Sequence, residues 1–203
     1  MDKWGEFIST SDAGPLNARL ARLAAAAFVV QGPCAFECPK TAAAVHEAGH
    51  LVEHKVVGLR SRWAGIYPNR VGAQTFWGGR TRCEGLSRPD PTTAPETDLK
   101  FARLQMAGVM SEWLFDRKNY RAGSSLDEVT AAQAMVTNAA VKLGCPIKPL
   151  WLDMLAALGT DLKTHEAVVR EIADVLMRCG SIAGSRLQRA LARVVPSSME
   201  KTT

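Results

Sequence analysis

Apolar and polar residues alternate along most of this chain with the period of an α-helix. Pro15 suits a first helical turn, and Leu16 to Val30 is rich in Ala and Leu, with Arg19 and Arg22 on one wet face and Gly32-Pro33 as the end. A second helix is expected from after Pro39 to about Val57, stopped by Gly58. Between 61 and 79 the pattern changes. Trp63, Ile66, Tyr67, Val71, Thr75, Phe76 and Trp77 stand among Pro68-Asn69 and Gly78-Gly79, which predicts two short strands joined by a turn. Residues 80–96 hold three prolines and many polar residues, and read as a loop. Helices are then expected from Thr97 or Asp98 to about Phe115, and from Ser124-Ser125 to about Leu143, ahead of Gly144-Cys145-Pro146. Three more are expected over 148–158, 161–179 and 183–195, with Gly159 and Gly180 as breaks. There is no internal repeat. The class is mostly α (α+β): one domain over 1–203, built from about seven helices and a small two- to three-stranded sheet. Residues 1–14 form a loose entry, 41–137 the central part and 148–196 the C-terminal helices.

With 203 residues, 47% hydrophobic and 22% charged, the chain can bury a sizeable core, which excludes a disordered or fibrous protein. Twenty-five Lys+Arg against 20 Asp+Glu leave a formal charge of +5. Only 6% of residues are aromatic, so nucleic-acid binding through stacked bases is poorly supplied and is not expected. Arg178, Arg186, Arg189, Arg193 and Lys201 concentrate positive charge near the C-terminus; Leu187, Ala190, Leu191 and Val194 fall between them at helical spacing, so the arginines form the wet face of a packed helix. No secretory signal opens the chain, and its most apolar segment, Leu23 to Val30, is far short of the roughly 20 residues a membrane span needs. A soluble, cytoplasmic protein is expected. Five scattered cysteines fit a reduced compartment, and Cys34 and Cys38 lack the second pair that a structural zinc knuckle requires.

The sharpest feature is His46-Glu47-Ala48-Gly49-His50, an H-E-x-x-H within the second helix. A spacing of four sets both histidines on one helix face, where two imidazole nitrogens can reach one zinc ion at about 2 Å. Glu47 is placed to take a proton from a water activated by that ion, the general-base role in metal-assisted peptide hydrolysis. At this chain's own residue frequencies such a motif arises by chance on the order of half a percent of the time. His54 makes a second i,i+4 pair with His50, but Leu51 stands where the base would be, and His54 reads as a packing residue. A catalytic zinc needs a third protein ligand and an open position. Glu53 and Val56 occupy the last Gly and His places of the longer metzincin pattern, which excludes that class. His165 lies in a polar helix start and is expected to be exposed. The remaining candidates are acids: Glu112, in Ala107-Gly108-Val109-Met110-Ser111-Glu112, and Asp127, in Gly123-Ser124-Ser125-Leu126-Asp127, which is followed directly by Glu128.

The order of His-Glu-Ala-Gly-His, a strand pair, an Ala-Gly-x-x-x-Glu helix and a Gly-Ser-Ser-x-Asp helix start resembles the peptidase domain of the FtsH family of zinc proteases, over about residues 41–137. The resemblance implies a helical, zincin-like peptidase with its small sheet next to the motif helix. It implies zinc held by His46, His50 and Asp127, Glu47 as the base, and Glu112 as a supporting group behind the ligands. A gluzincin-like site with Glu112 as third ligand is the alternative assignment, and a non-catalytic zinc-binding adaptor of the same fold is the alternative function. The strand pair occupies the place where such peptidases present an edge strand to an extended substrate, so Ile66, Tyr67, Gln74, Thr75 and Phe76 are the expected substrate contacts. No G-x4-G-K-[ST] phosphate loop occurs, so this chain has no ATP site. The expected substrate is a peptide or unfolded protein, the expected hydrolysis is ATP-independent within this chain, and a homo-oligomer or a separate unfoldase are the partners implied.

Overall fold

A computed structural model of the protein describes residues 39–85, 89, 92–117, 120 and 126–196. The helix expected over Leu16 to Val30, the loose entry, Cys34, Cys38 and Lys201 lie outside these residues. The elements, in order, are α1 (Lys40–Val56), β1 (Arg60–Val71), β2 (Gln74–Glu84), α2 (Pro95–Phe115), α3 (Leu126–Leu143), α4 (Ile147–Thr164), α5 (Glu166–Cys179), β3 (Ser181–Ala183) and α6 (Gly184–Leu191). The described part of the protein is mostly helical, with one small antiparallel sheet of order β2-β1-β3.

The motif helix α1 is the centre of the fold. Its small residues Ala42, Ala43, Ala44, Ala48 and Gly49 are buried, and so are Leu51, Val52 and Val56, so neighbours approach it from nearly every side. Gly49 makes the closest approach, because a β-carbon there would overlap Ser111 and the Ala107 carbonyl of α2. One buried cluster runs from Ala43 to Val194, with Leu51, Met106, Met110, Trp151, Leu155, Leu158, Leu162, Ile172 and Leu176 at its heart. Two buried ionic clusters bind helix to helix. Arg103 of α2 reaches Glu53 of α1 at 2.7 Å and Asp161 of α4 at 2.5 Å, and Lys142 of α3 reaches the fully buried Asp98 of α2 at 2.6 Å.

Several expected boundaries are corrected. The strands are longer than expected and run through both Pro68-Asn69 and Gly78-Gly79, with their turn at Gly72-Ala73. Pro68 sits inside β1, beyond the short stretch Trp63–Gly65 that pairs with β3, where its missing N–H faces no neighbouring strand. Residues 80–84, expected as loop, continue β2 with a clear two-residue alternation. Helix α4 runs through Gly159 and ends at Thr164, and His165, expected exposed, is buried at the α4–α5 joint. Gly180 does end α5, with φ of 73°, and its carbonyl accepts from the Ile66 N–H at 2.8 Å, which brings β3 onto β1. The C-terminal arginines fall as expected: Leu187, Ala190 and Leu191 are buried, while Arg186 and Arg189 are exposed and Arg193 pairs with Glu171. No helix among the described residues is long and apolar enough to cross a membrane.

Candidate metal centre

His46 and His50 project from the same face of α1 with their Nε2 atoms 3.0 Å apart. Glu128, in the first turn of α3, completes a triangle, with Oε1 3.2 Å from His46 Nε2 and 3.1 Å from His50 Nε2. The third acid is therefore Glu128 and not Asp127. Asp127 is exposed, because the buried side of α3 is set by Val129, Ala132 and Val136, and the helix rotation that buries them turns Glu128 inward and Asp127 out.

The ring nitrogens on the far side fix the tautomers. His50 Nδ1 donates to the Leu104 carbonyl at 2.9 Å, and His46 Nδ1 donates to Glu112 Oε1 at 2.6 Å. A carbonyl and a carboxylate only accept, so each Nδ1 carries a proton and each Nε2 faces inward, a bare lone pair wherever the ring is neutral. Two inward Nε2 atoms and a carboxylate then converge, an arrangement held together by positive charge among them, a proton on His46 Nε2 or a metal ion. An ion at 2.0–2.1 Å in tetrahedral geometry sets its ligand atoms about 3.3 Å apart, close to the triangle found. His46, His50 and Glu128 thus form a group able to hold a metal ion. Glu112 touches the opposite side of His46 from the converging atoms, which is the position of a group that orients a ligand.

Burial lowers the pKa of His46, but Glu128 and Glu112 outweigh it and raise the pKa well above the ordinary value. Burial pushes Glu128 up, and the two histidines more than reverse this and hold its carboxyl far below the usual range. In the metal-free site a proton on His46 thus balances Glu128, in the place that a bound cation would take. Glu47 is 4% exposed, burial raises its pKa against the pull of His46 and His50, and its Oε2 has no hydrogen-bond partner. Glu112 is likewise raised by burial, opposed by its hydrogen bond with His46.

Glycines make this geometry possible. Gly108 of α2 leaves space for the His46 ring, since a β-carbon there would overlap its Nε2 edge, and Glu112 follows one turn later to receive Nδ1. The Ala-Gly-x-x-x-Glu spacing thus has a mechanical reason. Arg103, neighbour of Leu104, ties α2 to α1 through Glu53 one turn beyond His50. His54 lies next along α1; it is buried, shares a hydrogen bond with Ser61 Oγ at 3.0 Å, and desolvation lowers its pKa to about 3. It is a neutral packing histidine outside the triangle.

A cleft of about 300 Å³ opens beside the triangle, lined by Glu47, His50, His54 and Glu128, by Leu104 and Gln105 of α2, and by Gly79, Arg80, Thr81 and Cys83 of β2. The contacts expected from the strand pair are displaced along it. Ile66 is buried in the central strand, Tyr67 points to the sheet's outer face, and Gln74, Thr75 and Phe76 belong to the hairpin end, beginning β2 before Gly79 is reached. The acid that converges is the neighbour of the expected Asp127, and the Gly79–Cys83 stretch, which carries no motif, joins the cleft wall. Compared with known proteins, the chain matches no family model and no curated sequence.

Proposed function

We propose that this protein is a zinc-dependent endopeptidase, similar in its site to the FtsH peptidase domain, that acts on peptides or unfolded proteins. The observation that supports it most is the placement of Glu47 beside an inward-facing His46–His50–Glu128 donor set. The donor set would hold zinc: two imidazoles and one carboxylate are a common ligand set for a catalytic site. When bound, the ion supplies a Lewis acid that polarises a peptide carbonyl and makes a water acidic near neutral pH.

The chain's own residues supply the rest. Glu47 lies one residue from His46 on the cleft wall, with a raised pKa that brings its carboxylate closer to neutral pH. It accepts the water's proton and returns it to the departing amine. Glu112 and the Leu104 carbonyl keep both histidines in the tautomer that binds metal. Strand β2, whose outer edge is unpaired among the described residues, offers backbone N–H and C=O groups to an extended substrate.

The reading is tested with zinc-loaded wild type and Glu47→Gln on casein. The expected result is proteolysis by the wild type and a loss of at least ~100-fold in the variant, with zinc content equal in both. Equal, negligible rates in two zinc-loaded proteins would establish the adaptor alternative instead.

A further inference from the structure

We propose that the cleft selects peptides carrying carboxylate side chains two residues apart, received by Arg80 and Arg82 as the peptide lies along the free edge of β2. This rests on the peptidase reading above and adds the substrate class.

The hairpin from Arg60 to Glu84 holds five arginines, Arg60, Arg62, Arg70, Arg80 and Arg82, against one acid, Glu84. That acid is already engaged by Arg60 and Arg62. Arg80 and Arg82 are exposed, and neither meets a carboxylate among the described residues. In register, Arg80 lies opposite Gly65 and Arg82 opposite Trp63, so both belong to the outer face of the sheet, about 7 Å apart. Gly79, Thr81 and Cys83 turn the other way, toward α1, and Gly79 lies against Glu47.

An extended peptide paired with β2 has the same two-residue period. Residues i and i+2 of that peptide fall beside Arg80 and Arg82, and residue i+1 faces the metal side. Arg80 also forms part of the cleft lining, so the first carboxylate sits at the mouth, next to the bond presented to Glu47. Guanidinium groups bind carboxylates through paired hydrogen bonds, which gives direction as well as charge. A nucleic acid would also meet positive charge here. However, Trp63 lies down over Gly65, and Tyr67, though 44% exposed, leans over Gly78 with its hydroxyl on the Gly79 carbonyl, so β1 offers bases only one partly open ring.

The test uses fluorescent peptides carrying Asp-Ala-Asp or Asn-Ala-Asn in one background, bound to zinc-loaded Glu47→Gln and followed by anisotropy. The acidic peptide is expected to bind about tenfold tighter, the preference vanishing in Arg80→Gln/Arg82→Gln and reversing toward Lys-Ala-Lys in Arg80→Glu/Arg82→Glu. Thermal melts of these surface variants confirm that they fold. Equal binding of acid and amide peptides, or a preference that survives the double substitution, overturns the proposal. Displacement of the peptide by an equimolar thymidine oligonucleotide also overturns it, in favour of nucleic acid. Wild type that cleaves both peptides with equal kcat/KM keeps the peptidase reading and removes the specificity. Arginine-dependent binding with no cleavage by wild type does the reverse.

Discussion

Gly79 of β2 packs directly against the carboxyl group of Glu47, so closely that a β-carbon at position 79 would overlap it. The edge strand and the Glu47 carboxylate are thereby set in one fixed relation. Gly79→Ala is expected to push the carboxylate out of place and lower kcat/KM on casein by about 10–100-fold, while bound zinc stays at the wild-type level. Wild-type rates in this variant would mean that Glu47 does not act from the position described.

Glu112 is 2.6 Å from His46 Nδ1 and orients the ring without joining the converging atoms. Glu112→Gln is expected to weaken zinc binding by about tenfold, measured by competition with a chromophoric chelator. No change would remove its orienting role, and complete loss of metal would make Glu112 a direct ligand.

Arg103 neutralises Glu53, which is fully buried and which burial raises to about 7 even with the arginine beside it. A carboxyl raised above its unfolded value of 4.5 holds an extra proton in the native state between the two values. Its contribution to stability is therefore present below pH 4.5 and lost as pH rises through 7. Arg103→Met removes the compensating charge and extends that loss upward. Urea unfolding at saturating zinc is expected to show the variant about 3–5 kcal/mol less stable than wild type at pH 8, with a smaller deficit at pH 5.5. A deficit independent of pH would mean that Glu53 is not the group left uncompensated.

For His54 the sign is opposite. Its pKa is lowered from 6.5 to about 3 by burial, so the native state binds fewer protons than the unfolded chain across that window. Stability from this group is complete above pH 6.5 and falls as pH drops toward 3. NMR of the imidazole nitrogens is expected to find His54 neutral at pH 5. A ring that titrates near 6.5 would contradict its buried, unprotonated role.

The two histidines and Glu47 were legible because a helix converts a spacing of four into one face, and the apolar flanks Ala42–Ala44 and Leu51–Val52 marked that helix as buried. The third converging acid stands one residue from the one the motif points to, since adjacent positions on a helix point about 100° apart and the motif alone does not set the phase of α3. A signal was present: Glu128 lies one and two turns ahead of Ala132 and Val136, both buried, whereas Asp127 aligns with the exposed Thr130 and Ala134. The second half of β2 was hidden by the three prolines that follow it. The alternation Arg80-Thr81-Arg82-Cys83 carries the strand period, but its outward residues are charged and its inward ones small. Gly159 misled in the other direction, because a glycine inside a helix is tolerated when neighbours on both sides, here Leu158 and Leu162, are held in the core.

A metal held by His46, His50 and Glu128 is tested most directly by bound zinc, measured by mass spectrometry in dialysed wild type, Asp127→Ala and Glu128→Ala. One zinc per chain in the first two and little in the third is the result expected. Zinc retained by Glu128→Ala and lost from Asp127→Ala would contradict the ligand set and the phase of α3 that produces it.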